Sequence, residues 1–284
     1  EFDEVLRWSQ TVIDLAAGDP GKGAGFGLGS PLAAAVAFRG AARSWLGRPG
    51  WRQDLREAVA VARTSDPATL AFVVAWTYGL EIAYGLLRAD DSALRTIEEA
   101  VQTAEATSND TALGLVKLTL GFALLYRDAA ADRQRGLELV VHAREWQRER
   151  TPSLVPVAEL LAARERATRD DRDVAIPVMR QVVDELHQAG RLQYGVLARG
   201  ILAETLLERG AEDDLAEAQQ VIDGLAHLPE REDWAVRDIT LLRLRALLAR
   251  AGGDEAAYRD FLRRYRTMAE SLGFDGHIAM AEAM

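Results

Sequence analysis

Apolar residues recur every three or four positions along most of this 284-residue chain, as they do on the buried face of a helix. In the opening stretch, Val5, Trp8 and Val12 lie three and four positions apart, which places them on one side of a helix that we predict over 2–15. No segment alternates apolar and polar residues between hairpin turns, so the pattern predicts no strands. The chain is therefore predicted to be all-α.

An arginine recurs about every 40 residues, each time near the end of a Leu- and Ala-rich stretch and just before a turn. These arginines are Arg48, Arg88, Arg127, Arg169, Arg209 and Arg250. A cation is favourable there because the carboxyl end of a helix carries partial negative charge. A period of roughly 20 to 50 residues is typical of a solenoid, in which each repeat packs only on its neighbours.

Each repeat is predicted to hold two antiparallel helices. The predicted pairs are 31–47 with 50–64, 67–88 with 91–106, 109–127 with 132–149, 153–169 with 171–189, 192–209 with 213–227, and 233–251 with 254–272, followed by a capping helix over 275–283. The predicted fold class is thus an all-α, right-handed α-α superhelix, a tetratricopeptide-like (TPR-like) solenoid of about six helix pairs. Its period near 40 residues exceeds the ~34 residues of the standard tetratricopeptide unit.

Small and β-branched residues in the second helices indicate where those helices pack. Ala58, Ala100 and Ala218 stand at matching positions in three of them, where a small side chain lets two backbones approach. Val140 and Val141 are both predicted to be buried, because tertiary packing can outweigh their modest helix propensity.

Residues 1–30 are predicted to form a segment separate from the repeat array at 31–284. We expect the helix over 2–15 to be the second helix of a pair whose first helix lies outside the sequence. Six glycines in the loop at 18–30 make its backbone permissive, so the loop is either a passive connector or a hinge. Ser30 and Pro31 are predicted to begin the next helix, with Ser30 as its cap.

The composition, 49% hydrophobic and 27% charged, is that of a folded chain. A net charge of −10 argues against nucleic-acid binding, which needs a positive field. The absence of cysteine excludes disulfides and thiolate chemistry. The longest apolar runs, near 32–38 and 70–76, are far shorter than a membrane span, and no secretion signal opens the chain. We therefore expect a cytoplasmic protein without a membrane partner.

No motif indicates catalysis, a cofactor or a metal. A phosphate loop needs a glycine five positions before its Gly-Lys pair and Ser or Thr after it, whereas here Ala16 precedes and Gly23 follows Lys22. The histidines lie in different repeats, at His142, His187, His227 and His277. Paired carboxylates stand at helix starts or exposed faces, where they cap free amides and complement the helix dipole. We predict no catalytic, cofactor or metal residues.

The first helices of such superhelices line the concave side, so polar residues inside them are candidate partner contacts. These residues are Arg39, Arg43, Glu81, Lys117, Arg164, Arg199 and Arg243. Arginine suits this role because its planar guanidinium binds a carboxylate with two hydrogen bonds. A solvated groove without a partner is the alternative.

Several sequence blocks are distinctive as a set. They are GDP at 18–20, GSPLA at 29–33, AFRG at 37–40, LGRPGWR at 46–52, DRQRGLEL at 132–139, AIPVMR at 175–180, RDI at 237–239, LLRLRALLA at 241–249, GDEAAYRD at 253–260, MA at 268–269 and SLGFDGH at 271–277. The set, which covers almost the whole chain, resembles the C-terminal TPR-like region of large actinobacterial regulators. Those proteins join a class III adenylate/guanylate cyclase domain, an AAA-type ATPase domain and helical repeats.

The resemblance implies no catalytic residue here, because neither the cyclase nor the ATPase domain is present. It implies a non-catalytic interaction or regulatory domain that binds a protein or peptide, contacts upstream domains of its own parent chain, or relays a signal. The alternative is a small-ligand-sensing repeat domain like those of related transcription activators. An enzyme of unrecognised type is a third candidate. A deep apolar pocket with converging polar groups would favour ligand sensing, and a shallow extended groove would favour a protein partner.

Overall fold

The computed structural model describes residues 2–25, 29–150, 152–169, 171–228 and 234–284. About 80% of the chain is helical, and no strand occurs among these residues. The all-α prediction is therefore confirmed, and the helices pack in neighbouring pairs, as predicted.

The helices follow one another through short turns. They are α1 (Phe2–Ala16), α2 (Pro31–Trp45), α3 (Trp51–Ala62), α4 (Pro67–Val74), α5 (Leu80–Ala83), α6 (Asp91–Ala106), α7 (Asp110–Leu124), α8 (Ala130–His142), α9 (Arg144–Arg150), α10 (Val155–Ala167), α11 (Arg172–Gln188), α12 (Leu192–Arg209), α13 (Asp214–Ala226), α14 (Ala235–Ala251), α15 (Glu255–Leu272) and α16 (Asp275–Ala283). A π-helical turn, Ala75–Gly79, joins α4 to α5, and a 3-10 turn, Pro152–Leu154, precedes α10.

Most of these boundaries lie within a few residues of the predicted ones. Helices α2 and α3, α7 and α8, α10 and α11, and α12 and α13 pack along each other as pairs. Residue 233, the predicted start of the sixth pair, and residues 26–28 of the glycine loop lie outside the described residues.

Polar side chains begin several of the helices by accepting hydrogen bonds from free backbone amides of the first turn. The capping residues are Ser30, Asp66, Asp90, Asn109 and Asp254. The Ser30 hydroxyl accepts from the Ala33 amide at 3.2 Å, which confirms its predicted role. Short polar side chains are favoured at these positions because the first amides of a helix have no partner within it.

The helix predicted over 67–88 ends earlier, at Ala83. Gly85 has a φ of 75°, which a glycine adopts without steric cost. The Leu86 amide donates to the Glu81 carbonyl and the Gly85 amide to the Ile82 carbonyl, both at 2.9 Å, which is the Schellman pattern of a helix end. Arg88 therefore lies beyond the helix rather than in its last turn.

The helix predicted over 132–149 is divided into α8 and α9 at Ala143. Of the two valines near the end of α8, Val140 is buried, but Val141 is 52% exposed, so the prediction that both are buried is wrong for Val141. Successive residues point about 100° apart around a helix, so only one of the two faces the core. Ala58, Ala100 and Ala218 are all buried, as predicted.

The chain divides into two compact units: Glu1–Trp146 with Arg231–Ala235, and Gln147–Glu230 with Val236–Met284. The core of the first unit includes Val36, Val73, Ile82, Ile97, Val116 and Leu124. Buried aliphatic side chains of the second unit include Leu160, Ile176, Met179, Val182, Leu202 and Ile222. Each core draws on several helices, so no helix pair buries its apolar surface alone.

Ion pairs join residues 36 or 37 positions apart within each unit. They are Arg63–Glu99, Arg127–Asp91 and Arg135–Glu98 in the first unit, and Arg180–Glu217, Arg209–Asp173 and the longer Arg172–Glu208 in the second. This separation is close to the predicted period, so each ion pair links helices about one predicted period apart. Arg127 and Arg209, two of the periodic arginines, take part in such links.

Candidate functional site in the second unit

A cavity of about 440 Å³ lies between α12, α14 and α16. Its apolar lining consists of Leu207, Leu247, Ala251, Met280, Ala283 and Met284, and its charged lining of Glu204, Glu208, Arg243 and Arg250. Pockets for small ligands are usually about 300–1,000 Å³ and combine apolar walls with a few charged or polar groups. The cavity has both properties.

The helical repeat explains why these side chains converge. Glu204 and Glu208 are four residues apart on α12 and share one face. Arg243, Leu247 and Arg250 are four and three residues apart on α14 and likewise share a face. The two faces meet where the Arg243 guanidinium contacts the Glu204 carboxylate.

Helix α16, which contributes Met280 and is followed by Met284, is held against α15 by specific hydrogen bonds. The Tyr258 hydroxyl donates to the Met284 carbonyl at 2.6 Å, and the Arg266 guanidinium donates to the Ala281 carbonyl at 2.9 and 3.1 Å. The buried Tyr265 hydroxyl lies 2.8 Å from Nδ1 of His277. This wall of the cavity is therefore anchored at three places.

Glu204 and Arg243 form a two-point ion pair, with Nη1 and Nη2 donating to the two carboxylate oxygens at 2.8 and 2.9 Å. Burial alone would raise the pKa of Glu204, but attraction and hydrogen bonds from Arg243, helped by the charge of Arg164, leave that pKa below its usual value. Glu204 is thus held ionised, and its charge is balanced within the protein.

Glu208 and Arg250 lack such close partners. The nearest cation to Glu208 is Arg172, at 3.8 Å, which is beyond hydrogen-bonding distance. Burial and the charge of Glu204 raise the pKa of Glu208, opposed by the charges of Arg172 and Arg164, among others. Arg250 has no carboxylate of the described residues within 4 Å, and its guanidinium lies 5.8 Å from the Tyr258 ring centre.

Two of the predicted groove residues bind a carboxylate of their own helix pair. Arg39 donates from Nε and Nη2 to Asp54 at 3.1 and 2.8 Å, and Arg43 donates from Nη1 to the same carboxylate at 2.7 Å. The Asp54 side chain is only 4% exposed. Both arginines therefore link α2 to α3 in this structure.

Glu81 is buried in the first unit rather than placed on a groove surface, with 3% of its area exposed. Its carboxylate oxygens lie 3.3 and 3.4 Å from the Ser44 hydroxyl, which donates its single proton to the Ala41 carbonyl at 2.7 Å. Burial raises the pKa of Glu81 to about 8. A neutral Glu81 can donate to Ser44, so the geometry and the pKa agree.

The remaining predicted residues occupy different environments. Lys117 forms an exposed ion pair with Glu105 at 3.2 Å. Arg199 is buried, and desolvation lowers its pKa while the charge of Asp184 opposes the shift. Arg164 acts electrostatically on Glu204 and Glu208. Of the seven predicted residues, Arg243 lines the cavity, and Arg164 acts on two of its carboxylates through its charge.

The sequence prediction did not include most of the cavity residues. Glu204 and Glu208 are acidic residues four positions apart in the largely apolar helix α12. This spacing, which places both on one face of the helix, could have identified them from the sequence. Met280 and Arg250 gave no such signal, because their convergence with α12 depends on how α14 and α16 pack.

Within the described residues, no group of three or more His, Cys, Asp and Glu side chains could hold a metal ion. None of the described helices is both long and apolar enough to cross a membrane. No protein-family model matches the chain, and no curated protein shows significant sequence similarity to it.

Proposed function

We propose that this chain is a non-catalytic, TPR-like superhelical domain that regulates a bacterial multidomain signalling protein by binding a small ligand in the cavity between α12, α14 and α16. The observation that carries the proposal is the convergence of four charged side chains on an apolar cavity of about 440 Å³. The regulatory role and the parent protein follow from the resemblance to actinobacterial cyclase and ATPase regulators.

The repeat-to-repeat ion pairs support the superhelical part of the proposal. Arg127–Asp91 and Arg209–Asp173 each span 36 positions and join consecutive repeats, as a solenoid requires. In such an array, a ligand that favours one arrangement of neighbouring repeats shifts the population toward it, and the shift is passed along the array.

The placement of the predicted groove residues favours a small ligand over an extended protein partner. Arg39 and Arg43 are bound to Asp54, and Glu81 is buried, so these three present little free charge to a partner. A protein or peptide that displaces such ion pairs loses binding free energy, because the existing hydrogen bonds must first be broken. The cavity, by contrast, presents the Glu208 carboxylate, which is 3.8 Å from Arg172 and makes no hydrogen bond to it, and the exposed guanidinium of Arg250.

A cavity-filling variant tests the proposal. Ala251 lines the cavity and Ala216 is exposed on α13, so Ala251→Trp and Ala216→Trp are matched substitutions. The probe is anilinonaphthalene sulfonate, whose aromatic body and negative charge suit the apolar wall and Arg250. We expect saturable binding of one probe per chain, weakened about tenfold or more by Ala251→Trp and unchanged by Ala216→Trp. Equal binding by both variants would contradict the proposal.

A further inference from the structure

The charged groups of the cavity differ in whether the protein already neutralises them. Arg243 and Glu204 satisfy each other through two hydrogen bonds, so this pair forms part of the wall. Glu208 has a cation no closer than 3.8 Å, and Arg250 has no carboxylate of the described residues within 4 Å. One carboxylate and one guanidinium therefore make no hydrogen bond to an oppositely charged side chain, although Glu208, whose side chain is 53% exposed, keeps a longer ion pair with Arg172.

The register of the two helices separates these two groups. Glu204 on α12 pairs with Arg243 on α14, 39 positions later, so the same offset places Glu208 opposite Leu247. Arg250 lies three residues beyond Leu247, about one helical turn along α14. Glu208 and Arg250 are thus offset along the cavity by about one helical turn, and the apolar lining residues lie in the same cavity.

The apolar lining of the cavity favours a ligand that has an apolar part. Leu207 and Leu247 supply branched aliphatic surface, and Met280 supplies a flexible thioether that adapts to irregular shapes. An aliphatic side chain that binds there is removed from water, which favours binding. A ligand with only charged groups would leave this surface unused.

We propose that the cavity binds a free hydrophobic α-amino acid, with its ammonium group at Glu208, its carboxylate at Arg250 and its side chain against Leu207, Leu247 and Met280. This assignment rests on the proposed function, because it names the ligand of the same cavity. An amino acid places both charges close to one aliphatic side chain. An anion would satisfy Arg250 alone, and a cation would satisfy Glu208 alone.

Three related probes separate the two charged contacts. L-leucine carries both charges, N-acetyl-L-leucine lacks the cation and L-leucinamide lacks the anion. Isothermal titration of the whole chain is expected to show L-leucine binding at least about tenfold more tightly than either derivative, since each derivative loses one charged hydrogen-bonding contact. Glycine is expected to bind about tenfold or more weakly than L-leucine, because it lacks the aliphatic side chain.

Single variants assign each contact. In Glu208→Gln, L-leucine and N-acetyl-L-leucine are expected to bind with similar affinity, because the contact to the ammonium group is lost. In Arg250→Gln, L-leucine and L-leucinamide are expected to bind with similar affinity, because the contact to the carboxylate is lost. Arg245→Gln, on another face of α14, and Glu212→Gln, in the exposed turn before α13, are the matched controls and are expected to retain both advantages. Circular dichroism of each variant establishes that it is folded.

The outcomes distinguish this inference from the proposed function. If Ala251→Trp abolishes binding of anilinonaphthalene sulfonate but no leucine derivative displaces it, the cavity is a ligand site and the amino-acid assignment is wrong. Equal binding of L-leucine and N-acetyl-L-leucine would also overturn the assignment. If Ala251→Trp leaves binding of the fluorescent probe unchanged, the proposed function fails, and the assignment fails with it.

Discussion

Arg209 donates from Nε and Nη2 to the carboxylate of Asp214 at 2.9 and 2.6 Å. It also donates from Nη1 to Asp173, 36 residues earlier, at 2.9 Å. Arg127 repeats this arrangement with Asp132 at 3.2 Å and Asp91 at 3.0 Å. In both units, one arginine therefore connects the start of the helix that follows it, α13 or α8, to a helix 36 residues earlier, α11 or α6.

Removing the cation from this arrangement is expected to cost more in the second unit than in the first. The Asp214 side chain is 2% exposed, so Arg209→Met leaves a buried carboxylate without its cation. The Asp132 side chain is 32% exposed, so Arg127→Met leaves a carboxylate that water still solvates in part. We expect losses of about 3 and about 1 kcal/mol in the free energy of unfolding, measured by urea titration. Equal losses would contradict this ranking.

The same arrangement predicts a dependence on acidic pH. Hydrogen bonds from Arg209, together with that of the Ala211 amide, hold the pKa of Asp214 below its usual value, although burial opposes the shift. The stabilisation is therefore present above the unfolded-state pKa of about 4 and is lost as the pH falls through the lower folded-state pKa. In Asp214→Asn, this part of the pH dependence is expected to disappear.

Glu81 is expected to make the first unit less stable in alkaline solution. Its folded-state pKa of about 8 lies above the ordinary value of 4.5, so the folded protein binds the proton more tightly than the unfolded chain does. Stability consequently falls as the pH rises between these values, by at most on the order of 5 kcal/mol. Between pH 6 and pH 9, we expect a decrease of about 2–3 kcal/mol from this group.

Glu81→Gln tests that expectation, because glutamine is neutral at every pH and its amide can donate to Ser44. Urea titrations at pH 6 and pH 9 should show a much smaller decrease for Glu81→Gln than for the natural chain. Glu57→Gln, exposed on α3 in the same unit, is the matched control and should keep the full decrease. If the two variants behave alike, Glu81 is not the responsible group.

Asp54 is expected to contribute far more to stability than a surface carboxylate with equally good geometry. Asp54→Asn leaves Arg39 and Arg43 without their shared anion in a half-buried place, at a cost of about 2–4 kcal/mol. Glu99→Gln removes the exposed partner of Arg63, at a cost of at most about 1 kcal/mol. Thermal unfolding followed by circular dichroism measures both, and comparable losses would disprove the distinction.

Two glycine variants are expected to change stability in opposite directions. A Cβ at Gly136 on α8 would lie 2.9 Å from the Gly121 carbonyl oxygen on α7, so Gly136→Ala must push the helices apart and cost about 1–3 kcal/mol. A Cβ at Gly224 on α13 would meet only Arg199, at 3.8 Å. Gly224→Ala is therefore expected to stabilise the chain by about 0.5–1 kcal/mol through helix propensity. Thermal unfolding temperatures that move in the same direction would contradict this contrast.

The helix pairs could be predicted from the sequence because their signals are local. The Ser30 cap, the spacing of apolar residues and the buried alanines Ala58, Ala100 and Ala218 depend on helix geometry that neighbouring residues determine. The helix end at Ala83 was missed although Gly85 provides a local signal, because an apolar stretch continues past it to Leu87. Val141 was misjudged because two adjacent residues were assigned to one face.

The sequence by itself determined that this chain is all-α, that its helices pack in neighbouring pairs, and where most of its helices begin and end within a few residues. Only the tertiary structure decided what the charged residues do. Arg39 and Arg243 are both inward polar residues of first helices, yet one closes a helix pair on Asp54 and the other joins a cavity wall through Glu204. Helix geometry is set by contacts three or four residues apart, whereas the partner of a long side chain is set by residues about 15 to 40 positions away that packing brings near it.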